Sequence, residues 1–257
     1  MISEFYACED MMECKHQTVG KTKDGKLYLH PCGQCTACRI NDGRAWFVRS
    51  HFETKKLERP FQYFLTLTYD EDNLPDDGLC HKDELKKFLN NLNTSFGLSM
   101  RYYATADYGS INNRAHYHAV ILSTKKVTQK QVERIWKKGF VMIKELNEQN
   151  LKYVLRYTVK KKPFDSSEPG YFRLISKGWG NNVGSYYHEG QEYFTINGKR
   201  YGITRYLREK LHLDKNPLVT YFDNRDLIFS KNYEKVDNFE KHRDDVIKLN
   251  IMRRKLK

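Results

Sequence analysis

Arg114–Leu122 reads RAHYHAVIL, a strand-forming run that opens with two histidines one residue apart. Side chains alternate faces along a strand, so His116 and His118 point to one side and Tyr117 to the other. Two imidazoles placed this way can grip one metal ion but rarely satisfy it alone. The segment Arg101–Asp107 (RYYATAD) reads as a preceding strand, joined to the first by a loop with Gly109, Asn112 and Asn113. If the two form a hairpin with Asp107 across from His116, the carboxylate joins both rings on one face. A His₂-carboxylate set leaves coordination positions open, as a catalytic metal requires and a structural one does not. The blander alternative is two solvent-facing histidines on a half-exposed sheet; the upstream acid favours the metal reading.

Working outward, Phe61–Tyr69 (FQYFLTLTY) is rich in aromatic and β-branched residues and reads as a strand closing in an Asp70–Gly78 loop. Leu85, Phe88, Leu89, Leu92 and Phe96 recur on one helical face, with Gly97 as the stop. Thr128 and Gln131 form a capping-box pattern that opens a short helix with Val132, Ile135 and Trp136, stopped by Gly139. Phe140–Ile143 then reads as a strand and Leu151–Lys162 as a helix ended before Pro163. The order β-α-β-β-α-β-α predicts an α+β fold, an antiparallel sheet with packed helices of ferredoxin-like or split-βαβ type. Three zones are expected: residues 1–60, a cysteine-containing segment and a helix (Trp46, Phe47, Val48, Phe52, Leu57) that Pro60 ends; residues 61–162, the core; and residues 163–257, an extension with a basic tail. In the last zone Gly178–Asn182 suggests loops, and Thr204 onward short helices.

Lys and Arg number 45 against 32 Asp and Glu in 257 residues, a formal net charge of +13. That excess favours a polyanionic partner. Aromatics make up 14% of the chain, including 18 Tyr, and rings among cations suit stacking on unpaired bases. For any single tyrosine a half-buried strand position is the commoner use. No apolar run is long enough to span a bilayer, and residues 1–20 lack a secretory hydrophobic stretch. A soluble protein of the cytoplasm is expected.

Tyr153, Tyr157 and Lys160 share one helical stripe, because residues four apart stack and residues seven apart nearly coincide. Leu151, Val154, Leu155 and Thr158 form the opposite stripe, so the tyrosines are not that helix's main apolar seam. A phenol is a poor nucleophile near neutrality, but a metal-polarised phosphate and an ammonium such as Lys160 favour the phenolate.

All six cysteines lie in the first 80 residues, three of them as Cys32-x-x-Cys35-x-x-Cys38. That spacing suits a metal knuckle in a reducing compartment better than a disulfide framework. Cys14 or Cys8 can supply a fourth thiolate to a structural Zn²⁺; reduced surface thiols and an iron–sulfur cluster are the other uses.

At these residues the chain resembles the HUH endonucleases that start rolling-circle replication, and among them the initiators of gokushovirus-like Microviridae, small single-stranded DNA phages. The resemblance is carried by Phe64–Tyr69 (FLTLTY), Arg114–His118 (RAHYH) and the Y-x-x-x-Y-x-x-K run from Tyr153 to Lys160. Pro31–Arg39, Asp107–Gly109 and Ser176–Gly178 are also similar to that phage subgroup. The resemblance implies Mg²⁺ or Mn²⁺ on His116, His118 and Asp107, Tyr157 as principal nucleophile, Tyr153 as its partner and Lys160 as electrostatic helper. It further implies a nick in single-stranded, hairpin origin DNA, a 5′-phosphotyrosine, later rejoining, the host replication machinery as partner, no membrane, and action in the cytoplasm of a bacterial host. The subgroup usually has Glu where Asp107 stands; Gln62 and Thr68 are fallback ligands. Two other readings are a non-catalytic zinc-containing nucleic-acid binder and a relaxase or single-strand transposase of the same chemistry.

Overall fold

The computed structural model describes residues 14–21, 27–109, 114–156, 172–213 and 221–222. Its elements are β1 (Thr18–Lys21), β2 (Leu27–His30), α1 (Thr36–Thr54), β3 (Phe61–Tyr69), α2 (Lys82–Phe96), β4 (Arg101–Tyr108), β5 (Ala115–Ser123), α3 (Gln129–Trp136), β6 (Gly139–Glu145), α4 (Glu148–Arg156), β7 (Arg173–Ile175), a 3₁₀ turn (Asn181–Tyr186), β8 (Tyr193–Ile196), β9 (Lys199–Gly202), α5 (Arg205–Lys210) and β10 (Tyr221–Phe222). The chain divides into two compact units, Ala45–Tyr186 and Met1–Arg44 with Tyr187–Lys257.

In the first unit five strands form an antiparallel sheet in the order β6-β3-β5-β4-β7. Each of its β-α-β segments is split by a strand of the other: β5 lies between β3 and β4, and β3 lies between β5 and β6. This is the expected α+β, split-βαβ arrangement. Strand alternation sorts the residues. Tyr63, Leu65, Leu67 and Tyr69 of β3, Ala104 and Ala106 of β4, and Tyr117, Ala119 and Ile121 of β5 are buried in one core with Leu85, Phe88, Leu89 and Leu92 of α2 and Val132 and Trp136 of α3. Burying each such Leu contributes roughly 1.5–3 kcal/mol relative to leaving it in water. The histidines occupy the other face.

Local signals act as read at two helix ends. Gly97 caps α2 in the left-handed region (φ 56), and Thr128 with Gln131 forms a complete capping box on α3. Three boundaries need correction. Helix α1 ends at Thr54, well before Pro60: Lys55 N–H turns back to the Phe52 carbonyl at 3.1 Å and Gln62 Nε2 donates to the Thr54 carbonyl at 2.6 Å, which leaves Leu57 93% exposed. Helix α3 ends on Lys137, itself left-handed, and Gly139 instead starts β6. At Gly139 (φ +135) a Cβ would sit 2.3 Å from Asp70 N and 2.4 Å from Thr68 O, so only glycine fits where β6 begins against β3. Helix α4 starts three residues early, because Asn147 Oδ1 accepts the Asn150 N–H at 2.8 Å as an N-cap.

In the second unit β2 pairs with β1 and β10, and β8 pairs with β9. The β8–β9 turn is Asn197-Gly198, both with positive φ (51 and 76), the backbone that a two-residue hairpin with right-twisted strands needs. Residues 157–171, which hold Tyr157 and Lys160, lie outside the described residues.

Candidate active site and a cysteine cluster

The β4–β5 hairpin sets Asp107 directly opposite His116 and Thr105 opposite His118. Asp107 Oδ2 lies 3.2 Å from Nε2 of His116 and 3.7 Å from Nε2 of His118. Tyr117 turns the other way as expected: its hydroxyl accepts the His81 N–H at 2.9 Å and meets the Tyr69 hydroxyl at 2.7 Å, which ties the histidine strand to the start of α2.

Outer contacts orient both rings. His116 Nδ1 lies 2.9 Å from the Arg114 carbonyl, an acceptor only, so the proton belongs on Nδ1 and the Nε2 lone pair faces Asp107. Arg114 is itself fixed by Nε and Nη2 donating to the Tyr69 carbonyl at 3.1 and 2.7 Å. His118 Nδ1 lies 3.0 Å from Thr66 Oγ1, and the Phe64 ring stacks on the imidazole at 5.5 Å. Asp107 and His118 are 3% and 4% exposed, while His116 is half-buried. The three ligand atoms all lie within 4.8 Å of one another. One carboxylate and two imidazole nitrogens, held by outer hydrogen bonds and open on the remaining positions, fit a divalent cation.

Tyr153 of α4 stands over this site. Its ring meets His118 edge-on at 5.1 Å and Phe64 at 6.1 Å. The opposite stripe of the helix, Leu151, Val154 and Leu155, is buried, so the predicted division of its two faces holds over the described turns. A cavity of about 520 Å³ opens at Glu148, Gln149, Lys152 and Tyr153. The fallback ligands are placed otherwise. Gln62 is taken by the Thr54 carbonyl, and Thr68, though opposite His116, is not the threonine whose hydroxyl meets a ring. Thr66 was legible only through the register of β3 with β5.

In the other unit Cys14, Cys32, Cys35 and Cys38 come together, their four sulfurs within 4.8 Å of one another. Cys35 and Cys14 sulfurs are 3.8 Å apart, and those of Cys32 and Cys38 3.9 Å. These separations are far beyond a disulfide bond and match the edge of about 3.8 Å of a tetrahedron with 2.3 Å zinc–sulfur bonds. Backbone N–H groups point at the same sulfurs: Cys32 N at Cys14 (3.4 Å), Cys35 N at Cys32 (3.3 Å) and Cys38 N at Cys35 (3.4 Å). Of the two candidates for the fourth position the cluster contains Cys14; Cys8 lies outside the described residues.

Residues 62–162 match the family model of the replication-associated protein ORF2. The chain is 30% identical to the replication-associated protein ORF2 of Spiroplasma virus 4, over 51% of this chain and 48% of that protein. It is 26% identical to the replication-associated protein ORF4 of Chlamydia phage 1, over 70% of this chain and 53% of that protein. It thus spans about half the length of these relatives. Among solved structures, the hypothetical protein ORF119 of Sulfolobus islandicus rod-shaped virus 1 aligns over 47% of this chain and 96% of that chain, at 18% identity and a TM-score of 0.31. Among the described residues no helix is long and apolar enough to cross a membrane. The matched segment contains the histidine pair, Asp107 and the tyrosine run, and the resemblance to replication-associated proteins of Microviridae-type phages holds over it.

Proposed function

We propose that this protein initiates rolling-circle replication by nicking one strand of a single-stranded, hairpin-bearing origin and later rejoining the ends. The observation that carries the reading is the placement of the Tyr153 ring 5.1 Å from His118, beside the Asp107, His116 and His118 cluster. A phosphate seated there would meet a cation site and a phenol at once.

Asp107, His116 and His118 would hold Mg²⁺ or Mn²⁺, which supplies charge withdrawal from a phosphodiester oxygen when bound. A tyrosine oxygen then attacks phosphorus: the P–O(tyrosine) bond forms, the bond to the 3′ oxygen breaks, and that oxygen leaves to become a 3′ hydroxyl once protonated. One phosphodiester is exchanged for another, so the bond energy is kept as a 5′-phosphotyrosine and the reverse attack reseals the strand. The resemblance assigns the first attack to Tyr157, the answering attack to Tyr153 and phenolate stabilisation to Lys160. The fixed tautomer of His116 and the clamped ring of His118 keep the ligand lone pairs directed at the cation position through the cycle. The net charge of +13 draws in the strand and its phosphates, and the host replication machinery would extend the 3′ end in the cytoplasm of a bacterial host.

The four-cysteine cluster is assigned a structural Zn²⁺, on the strength of its sulfur spacing. Four protein ligands close the coordination shell, so the ion braces residues 14–38 and takes no part in the nick.

Incubation of the protein with single-stranded phage origin DNA and Mn²⁺ tests the nuclease reading. The expected product is a covalent adduct that survives denaturant; a double variant Tyr153→Phe/Tyr157→Phe that forms as much adduct as the parent would refute the assignment.

A further inference from the structure

The edge strand β6 carries an exposed row that the chemistry above leaves unused. Phe140 is 70% and Met142 38% exposed, and Lys144 continues the row into solvent. Their neighbours Val141 and Ile143 turn to the opposite face and pack on the core, so the exposure follows from strand alternation and not from a loose end. Register places the row beside the candidate site. Phe140 pairs with Thr68, which pairs with His116, and Met142 pairs with Thr66, which pairs with His118. Registered neighbours share a face, so Phe140 and Met142 lie on the same side of the sheet as the metal ligands, two strands or about 9.5 Å away.

An aromatic and a thioether on the solvent side of an edge strand invite aggregation unless a partner covers them. We infer that Phe140, Met142 and Lys144 form the platform on which bases flanking the scissile phosphate of single-stranded DNA stack, an inference that rests on the nuclease reading. Three features select this occupant. The row is continuous with the cation site where the phosphate would sit. An exposed ring offers a stacking face to any unpaired base. Lys144 adds a phosphate contact at its end, in a chain with a net charge of +13. A duplex has no free base faces to offer, so the row would favour unpaired strands.

The test uses the full chain and a fluorescein-labelled, mixed-sequence single-stranded 20-mer, with binding followed by anisotropy in EDTA so that nothing is cleaved. Phe140→Ala should weaken binding about tenfold, and Phe140→Trp should restore it to within about twofold. Near-ultraviolet irradiation of the same strand carrying 5-iodouracil should crosslink Phe140. Equal affinity of Phe140→Ala and parent, with no crosslink on β6, overturns the platform. So does a parent that sediments as a dimer and a Phe140→Ala that sediments as a monomer with unchanged DNA affinity, since the row would then join two copies. Adduct formation by the parent is scored separately: its absence beside a weakened Phe140→Ala retires the nuclease reading and leaves the platform, whereas adduct with unweakened binding does the reverse.

Discussion

Asp107 and His116 face each other across the β4–β5 ladder with Oδ2 and Nε2 3.2 Å apart, and His118 stands one step along the same strand face. The cation site is therefore set by backbone pairing, and its precision depends on what holds the rings. Thr66 is the residue to change. Thr66→Val removes the hydroxyl 3.0 Å from His118 Nδ1 and keeps the shape of the side chain. Mn²⁺ affinity measured by calorimetry should fall about ten- to hundredfold, and Asp107→Asn should lose more. Unchanged affinity in Thr66→Val would show that the hydroxyl does not orient the ring.

Tyr153→Phe separates chemistry from packing. The variant keeps the ring against His118 and Phe64, so stability in urea should change by about 1 kcal/mol or less. If Tyr153 makes the answering attack, nicking through Tyr157 persists while circular product from a two-origin substrate falls at least about tenfold. Full circularisation by this variant would remove Tyr153 from the reaction.

The sequence already contains the reason for the site. The period of two in RAHYHAVIL and the acid in RYYATAD are backbone-scale signals, and the hairpin that joins them needs only the register Asp107 to His116. Helix caps at Gly97 and Thr128 were equally legible, because each satisfies its own orphan N–H or C=O groups locally. What escaped depends on distant strands or on weak local cues. Thr66 meets His118 only because β3 lies beside β5. Trp179 is fully buried although its Gly-rich surroundings read as loop. The early end of α1 follows from the Gln62 amide reaching Thr54, a contact that the Pro60 signal could not reveal. Asn197-Gly198, by contrast, was a hairpin signal in plain view.

Cysteine chemistry offers a readout for the second metal. Protein purified without chelator should carry one zinc per chain, and Cys35→Ser should lose it. Iodoacetamide at pH 8 should leave Cys14, Cys32, Cys35 and Cys38 unmodified until a chelator is added. Cys80 should stay unmodified in both states while the fold persists. Burial against the sheet pushes its thiol up to about 12, so at pH 8 only about one molecule in ten thousand carries the reactive thiolate. The sign is testable: alkylation of folded protein at Cys80 should appear only as pH rises toward 12. An absorbance near 400 nm with iron in place of zinc would reassign the cluster to iron–sulfur.

The joint between α1 and the Trp179 turn predicts where this unit is most easily broken. Glu53 is fully buried; its carboxylate accepts the Gly180 N–H at 2.6 Å, pairs with Lys56 at 3.2 Å and takes the Arg101 guanidinium. Trp179 Nε1 donates to Ser50 Oγ at 2.9 Å, and Arg49 Nε and Nη2 donate to the Trp179 carbonyl at 3.0 and 2.9 Å. Removing one partner of a buried ion pair leaves the other charge unanswered, so Glu53→Ala should cost about 3–5 kcal/mol in urea denaturation. Gly180 sits at φ +75, and a Cβ there would lie 2.6 Å from the Arg49 carbonyl oxygen. Gly180→Ala therefore meets both left-handed strain and backbone overlap, and should cost at least about 2 kcal/mol. Gly184, in the following 3₁₀ turn, has nothing within 4 Å of its would-be Cβ. Gly184→Ala should leave stability within about 0.5 kcal/mol of the parent, and equal losses at Gly180 and Gly184 would mean that the close approach to Arg49 is not what holds the turn.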